Sequence, residues 1–574
     1  MGPWYSALSV DLTPNTGDDG MGSGVNAGTA VIEREEGTLT DGSCASWTGT
    51  WTTVSDPDNS VASGKCYRYR LRVSDNVGNV SANSALSTVA KVDTSAPGAA
   101  GLTLSENPAD ADQHVSGTKI FYRPGGGGSF LVAASASDAQ SGVKHVGFPS
   151  VSGVSGGGVN DAASPYEETY TWNASTSGAP SGSATVTNNT DLTGAGASFE
   201  LEADSTAPTG HSVALAGGTG WYSALSVDLT IDSGGDGTGS GVNAGSVVIE
   251  RDEAPLVDGV CDPFPGTYAA TVSDPDNPVQ SGKCYRYRVR VADNVGNVSA
   301  NSAASANAKI DTTAPGAPSL TLSENPADAD QHVSGNKVFY RPGQAGSFKV
   351  AASASDGQSG IKHVGFPAIS NVTGGGNDSS SPYEDTYSFG ASTSGSHNQS
   401  VTATNNTDLP SGGAAFDLEA DSTAPTSHSV GLNSGPWYST LSVDLVPNYG
   451  NDGTGSGVDT SSAVIEREEA TLTNGSCGSW TGTWTTVSDP DNTVQSGKCY
   501  RYRLRVADNV ANVSAESAPS AEARVDASAP GAPSLTLSEN PADADQHVSG
   551  NKVFYRPGQA GSFKVAASAS DGQS

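Results

Sequence analysis

The sequence predicts an all-β chain, a tandem array of β-sandwich domains of two alternating types. Three observations predict it. The chain repeats at the size of one sandwich, its strand-like runs alternate with period two, and no segment sustains a 3.6-residue apolar period with helix caps. Trp-Tyr-Ser leading into Leu-Ser-Val-Asp-Leu begins at Trp4, Trp221 and Trp437, at intervals of 217 and 216 residues. A punctuation of Asp, two small residues and Ala-Pro starts at Asp93, Asp204, Asp311, Asp421 and Asp526, with spacings of 111, 107, 110 and 105 residues. A sandwich takes about 100 residues.

The punctuation divides the chain into type A units at 1–93, 205–311 and 422–526, and type B units at 94–204, 312–421 and 527–574. Type A carries Trp-Tyr-Ser, a Cys pair and a run such as Cys66-Tyr67-Arg68-Tyr69-Arg70-Leu71-Arg72-Val73. Type B opens with Leu-Ser-Glu-Asn-Pro-Ala-Asp-Ala-Asp-Gln-His, from Leu104, Leu322 and Leu537. A Phe-Tyr-Arg-Pro-Gly segment follows from Phe121, Phe339 and Phe554. The first A unit is expected to lack its opening strand and the last B unit its second half, so the sequence reads as a piece of a longer protein.

In Tyr285-Arg286-Tyr287-Arg288-Val289-Arg290-Val291 apolar residues alternate with Arg. That sends one face to a core and the other to water, where charge blunts edge-to-edge pairing. Leu8-Ser9-Val10-Asp11-Leu12 alternates likewise, and the β-branched Val31-Ile32 favours a pleated surface. Asp75-Asn76-Val77-Gly78-Asn79 reads as a hairpin turn in which Gly78 and Asn79 supply positive φ. Ala511 stands where the other copies have Gly78 and Gly296, so glycine is not expected to be obligatory there. The Pro of each junction fixes its own φ and keeps the preceding residue extended. Sandwiches joined by such short stiff links make a monomeric rod.

With 28 basic and 61 acidic residues the net charge is −33, which argues against nucleic acid or an anionic membrane as partner. No apolar run approaches the ~18 residues of a membrane span. All six Cys fall in A units, one pair in each: Cys44/Cys66, Cys261/Cys284 and Cys477/Cys499. An intramodule disulfide is the simplest pairing, and it points to an oxidising compartment. A zinc site would need four clustered ligands, and each A unit offers two Cys and at most one His.

Trp47, Trp51, Trp480 and Trp484 lie just past the first Cys of their units, and Phe264 and Tyr268 take those places in the middle copy. Such rings serve either for sugar stacking or for packing over the disulfide, and the exchange of ring type favours packing. Seven of the eight His recur at repeated positions and only His397 stands alone. A hydrolase needs one constellation in one place. No H-E-x-x-H or P-loop sequence occurs, and the single G-x-S-x-G match, at 153–157, sits in a Gly-rich loop. No catalytic residue is assigned, and the chain reads as a non-enzyme.

Through Cys-Tyr-Arg-Tyr-Arg, Val-Ala-Asp-Asn-Val-Gly-Asn-Val-Ser and the closing Asp-Thr-Thr-Ala-Pro, type A resembles the bacterial immunoglobulin-like and fibronectin-III-like repeats of large cell-surface proteins. Type B is similar to other bacterial Ig-like repeats through Ala-Ser-Ala-Ser-Asp-Gly-Gln-Ser-Gly-Ile and Phe-Asp-Leu-Glu-Ala-Asp-Ser-Thr-Ala-Pro. The resemblance implies an extracellular or cell-surface stalk, the segment of an adhesin. It also implies Ca²⁺ at the junctions, with Asp93, Asp204, Asp311, Asp421 and Asp526 as candidates and Asp75, Asp293 and Asp508 from the nearby hairpins. The competing reading of these residues is turn chemistry. Two other functions stay open: an array gripping a surface glycan or protein, and an accessory region of a secreted polysaccharide-degrading enzyme.

Overall fold

The computed structural model describes residues 3–218 and 220–573. It is all-β; among the described residues the one helical element is a 3₁₀ turn at Ala244–Ser246. Buried apolar residues gather into five main clusters, drawn from 10–92, 100–201, 213–310, 322–418 and 430–525. Each cluster stays within one repeat. The exposed area, 27844 Å², fits that division. A single globule of this mass exposes about 19,000 Å², whereas separate ~10 kDa units of the same total mass expose about 30,000 Å².

In type A the main sheet runs, in spatial order, Trp4–Tyr5, Ala90–Val92, Lys65–Asp75, Val25–Thr40 and Ser43–Ala45, with Thr52–Val54 also on the Val25–Thr40 strand. Trp4–Tyr5 pairs parallel with Ala90–Val92. The long central pair sets Arg34 opposite Tyr69, Glu35 opposite Arg68 and Gly37 opposite Cys66. The opposing layer is thin. It is the Ser212–Leu215/Leu229–Asp232 pair in the second copy and the Ser429–Leu432/Leu445–Asn448 pair in the third. In the first copy Val10 makes only a bridge to Asp58.

Beyond Tyr67 the free edge of Lys65–Asp75 is closed by a segment with a period of three. The N–H groups of Ser81, Ser84 and Ser87 donate to the carbonyls of Val73, Leu71 and Tyr69. Their hydroxyls accept the N–H groups of those same residues at 2.9–3.0 Å. Ser299, Ser302 and Ser305 repeat the arrangement, as do Ser514, Ser517 and Ser520. Both backbone groups of each strand residue are thereby satisfied without another strand.

Type B is a fuller sandwich. One sheet holds Tyr166–Trp172, Gly128–Ser135 and Gly101–Glu106; the other holds six strands, in which Ala197–Ala203 pairs parallel with Lys119–Tyr122. Between them Phe130 stacks on Tyr170, with Phe199 against both, and Tyr122 packs on Trp172. The second B unit repeats this core with Phe348, Tyr387, Phe416, Tyr340 and Phe389. Residues 534–568 form the hairpins equivalent to the first four B strands, and Tyr555 is 75% exposed where Tyr122 and Tyr340 are 0%.

The Asp75–Asn79 turn departs from expectation. Gly78 and Gly296 take φ of 94° and 83°, while Asn79 is not left-handed. Ala511 adopts φ 64° at the same place. The turn requires the left-handed region, and alanine pays steric strain to enter it.

Candidate metal centre

The repeats place acidic residues at every joint, and the structure sorts the joints into two kinds. At the B-to-A joints three carboxylates converge: Asp204, Asp236 and Asp293 at one, Asp421, Asp452 and Asp508 at the other, each set with an oxygen apiece within 4.8 Å of one another. Asp204 ends a B unit, Asp236 lies on a Gly-rich loop of the following A unit and Asp293 opens its hairpin turn. Asp204, Asp293, Asp421 and Asp508 are at most 3% exposed.

Each carboxylate is held by local donors. Asp204 Oδ1 accepts from the N–H and hydroxyl of Thr206, and Oδ2 from Ser240 N–H at 2.8 Å. Asp236 Oδ2 accepts from Gly241 N–H at 2.8 Å. Asp293 accepts from the N–H groups of Val295 and Asn297 and from Asn297 Nδ2. Among the described residues Asp236 Oδ1 and Asp452 Oδ1 are buried atoms without a hydrogen-bond partner, as are the hydroxyls of Ser240 and Ser456. A Cβ on Gly239 or Gly455 would run into the Asp236 and Asp204 or the Asp452 and Asp421 carboxylates. Glycine therefore lets the loop close over the cluster.

Three negative charges this close are costly. At an effective dielectric of ~20, two charges 4.8 Å apart repel by about 3 kcal/mol. Burial, and then the charges of Asp204 and Asp293, push the Asp236 carboxyl above its ordinary pKa; burial and Asp421 do the same to Asp452. Burial also works against the charged form of Asp204, but the donors of Ser240 and Thr206 outweigh it and hold its pKa low. Hard carboxylate oxygens, a buried oxygen without a donor and a cradle closed by glycine suit a hard divalent cation, which takes oxygen ligands.

At the A-to-B joints the same frame holds an amide. Asp93 Oδ2 accepts from Ser141 N–H at 3.2 Å and from Asn188 Nδ2 at 3.1 Å. Asp138 Oδ1 accepts from the N–H groups of Gln140 and Ser141, and Oδ2 from Asn188 Nδ2 at 3.1 Å. Asp311, Asp356, Ser359 and Asn405 repeat the set. Ser359 also has an unpartnered hydroxyl, so the orphaned carboxylate oxygen is what separates the B-to-A joints from these two. Asp526 accepts from the N–H and hydroxyl of Ser528. In the first A unit Asp19 and Asp75 take the places of Asp236 and Asp293, and no third carboxylate joins them among the described residues.

Cys44–Cys66, Cys261–Cys284 and Cys477–Cys499 are closed as disulfides at one end of each A sheet. The rings of Trp47 and Trp51 carry the guanidinium groups of Arg68 and Arg70 at 4.3 and 4.0 Å. Trp480 and Trp484 carry Arg501 and Arg503, and Phe264 and Tyr268 carry Arg286 and Arg288. Trp480 also packs on Ala470, Leu472 and the Cys477–Cys499 bridge. His211 and His428 bond the carbonyls of Ala300 and Ala515 at 2.8 Å. Sequence reasoning reached Asp204, Asp293, Asp421 and Asp508 but missed Asp236 and Asp452. The signal was present, because they lie one and two long repeats after Asp19.

No family model and no curated protein matches the chain. Among solved structures, fibronectin(III)-like modules of Clostridium thermocellum CbhA align at 14% identity over 35% of this chain and 90% of theirs, with a TM-score of 0.18. A Ca²⁺-stabilized adhesin of an Antarctic bacterium that binds ice aligns at 11% over 75% and 99%, with a TM-score of 0.25. The sialic acid binding region of a Streptococcus sanguinis adhesin aligns at 12% over 58% and 82%, with a TM-score of 0.17. Likenesses this weak assign no residue and no role; the fold rests on the chain's own strands and cores.

Proposed function

We propose that the chain is a non-enzymatic extracellular spacer, the stalk of a bacterial surface adhesin. Its units would be type A at 1–93, 205–311 and 422–526 and type B at 94–204, 312–421 and 527–574. The observation that carries this reading is the confinement of each buried cluster to a single repeat, which leaves length and spacing as what the chain offers. Three disulfides support an oxidising, extracellular setting. Histidines used as backbone braces, and aromatic faces taken by arginines, support a structural role over catalysis or glycan stacking.

The same reading assigns calcium to the two B-to-A joints, at Asp204–Asp236–Asp293 and Asp421–Asp452–Asp508. The ion would offset the buried charge and fix the angle between neighbouring units, so the stalk stiffens in calcium-rich surroundings. Small-angle scattering tests the spacer. A globule of this length has a radius of gyration of about 25 Å, and six units in series reach on the order of 200 Å. A value near 25 Å refutes the spacer. A scattering profile and melting temperature unchanged by EDTA refute the calcium.

A further inference from the structure

We infer that the Asn188 and Asn405 carboxamides stand in for the metal ion, so that amide-locked joints alternate along the chain with metal-closed ones. The inference rests on reading the carboxylate triads as cation sites. What it adds is which joints respond to the ion and which residue decides.

The two kinds of joint share one frame. A junction aspartate, Asp93 or Asp204, accepts the N–H of a loop serine, Ser141 or Ser240. The loop aspartate four or three residues before that serine-glycine pair, Asp236 or Asp138, faces the junction residue. In the hairpin above, Asn188 Oδ1 accepts the N–H groups of Thr190 and Leu192, as Asp293 Oδ1 accepts those of Val295 and Asn297. The next residue is Asn in both, and Asn189 and Asn294 donate to the carbonyls of Ser141 and Ser240. One atom differs at the centre. Asn188 presents an NH₂ group to Asp93, Asp138 and the Ser95 carbonyl, at 3.1, 3.1 and 2.9 Å. Asp293 presents a third carboxylate oxygen.

An amide nitrogen is a donor with a fixed partial positive charge, and it does for two carboxylates what a cation does for three. Asn188 and Asn405 are 0% exposed, so no solvent exchange is needed to keep them in place. The second A-to-B joint agrees with the first: Asn405 Nδ2 meets Asp311, Asp356 and the Thr313 carbonyl. The units would then travel in amide-locked A–B pairs, with the calcium-sensitive joint between one pair and the next.

The test is calcium titration of the intact chain by calorimetry, with hydrogen exchange in calcium and in EDTA. The unaltered chain takes up two ions, one per triad. Asn188→Asp with Asn405→Asp takes up four, and in EDTA its exchange at 138–142 and 356–360 quickens about tenfold, returning with calcium. In the converse variant Asp293→Asn is paired with Asn297→Leu and Asp508→Asn with Asn512→Leu. Asn297 Nδ2 donates to the replaced oxygen, and Leu192 holds that position at the amide joint. This chain takes up no ion, and its exchange at 236–243 and 452–459 becomes insensitive to EDTA. Uptake of only two ions by the first variant, or EDTA sensitivity persisting in the second, overturns the inference and leaves the calcium reading standing. No uptake by the unaltered chain overturns both.

Discussion

Asn188 and Asp93 meet across the first joint at 3.1 Å, where the same amide also donates to Asp138 and so stands between two carboxylates. The joint that follows has the same backbone frame, and there the side-chain amide of Asn297 reaches Asp293 and the Asp204 backbone carbonyl instead of the Asp204 carboxylate. One side-chain atom in a hairpin turn thus distinguishes these two joints.

Removing the candidate ligand that sequence reasoning missed is the first prediction. Asp236→Asn with Asp452→Asn takes away one of the three charges in each triad and is expected to abolish calcium uptake. Its stability in EDTA should equal or exceed that of the unaltered chain, read as melting temperature, because about 3 kcal/mol of repulsion per removed pair is relieved.

Each A unit also buries an ion pair. Arg34 reaches both oxygens of Asp58 at 2.9 and 3.2 Å, and the Tyr69 hydroxyl donates to the same carboxylate at 3.1 Å. Asp276–Arg251–Tyr287 and Asp491–Arg467–Tyr502 repeat it. Asp58→Ala leaves Arg34 without its partner and is expected to cost about 3 kcal/mol in denaturant unfolding.

That aspartate also sets a pH dependence. Burial works to raise the Asp58 pKa, but Ser60 and Arg34 outweigh it and hold it below the ordinary 3.8. A depressed carboxyl pKa contributes stability above the unfolded value and loses it as pH falls through the folded one. The first A unit should therefore lose stability below about pH 4, and Asp58→Asn should flatten that limb in an acid titration followed by tyrosine fluorescence.

Ala511 offers a stabilising change. Its φ of 64° lies in the left-handed region that Gly78 and Gly296 occupy, at 94° and 83°, without a Cβ. Ala511→Gly is expected to stabilise the third A unit by about 1 kcal/mol, measured by thermal unfolding; a loss of stability would show the turn to be unstrained.

Trp47→Ala separates packing from recognition. The ring lies under Arg68 and against Gly37, where an added Cβ would come within 3.1 Å of it. The substitution is expected to destabilise the first A unit by about 2 kcal/mol with no change on a glycan array. Glycan binding lost from a fully stable variant would make the ring a ligand platform.

Much of this was legible in the residues. The 217- and 216-residue intervals align the Cys pairs, the junction aspartates and the hairpin Asp293 and Asp508 without any structure. Asp236 escaped notice because a lone Asp in a Gly-rich loop reads as turn chemistry, and only tertiary contact with Asp204 makes it a candidate ligand. Asn188 escaped for the same reason, since an Asn that opens a hairpin has a complete local explanation in Thr190 and Leu192. The serine edge at 81, 84 and 87 was invisible because its period of three is neither the two of a strand nor the 3.6 of a helix.

Stretching the intact chain in single-molecule force spectroscopy tests the serial arrangement most directly. Self-contained units predict repeated ruptures of two alternating lengths. Under oxidising conditions the A units should release about 80 Å less than the B units, because ~22 residues at ~3.6 Å each stay locked behind the disulfide. Reductant should erase that difference. A single rupture releasing several repeats at once would show that the repeats share one core, and would contradict the stalk.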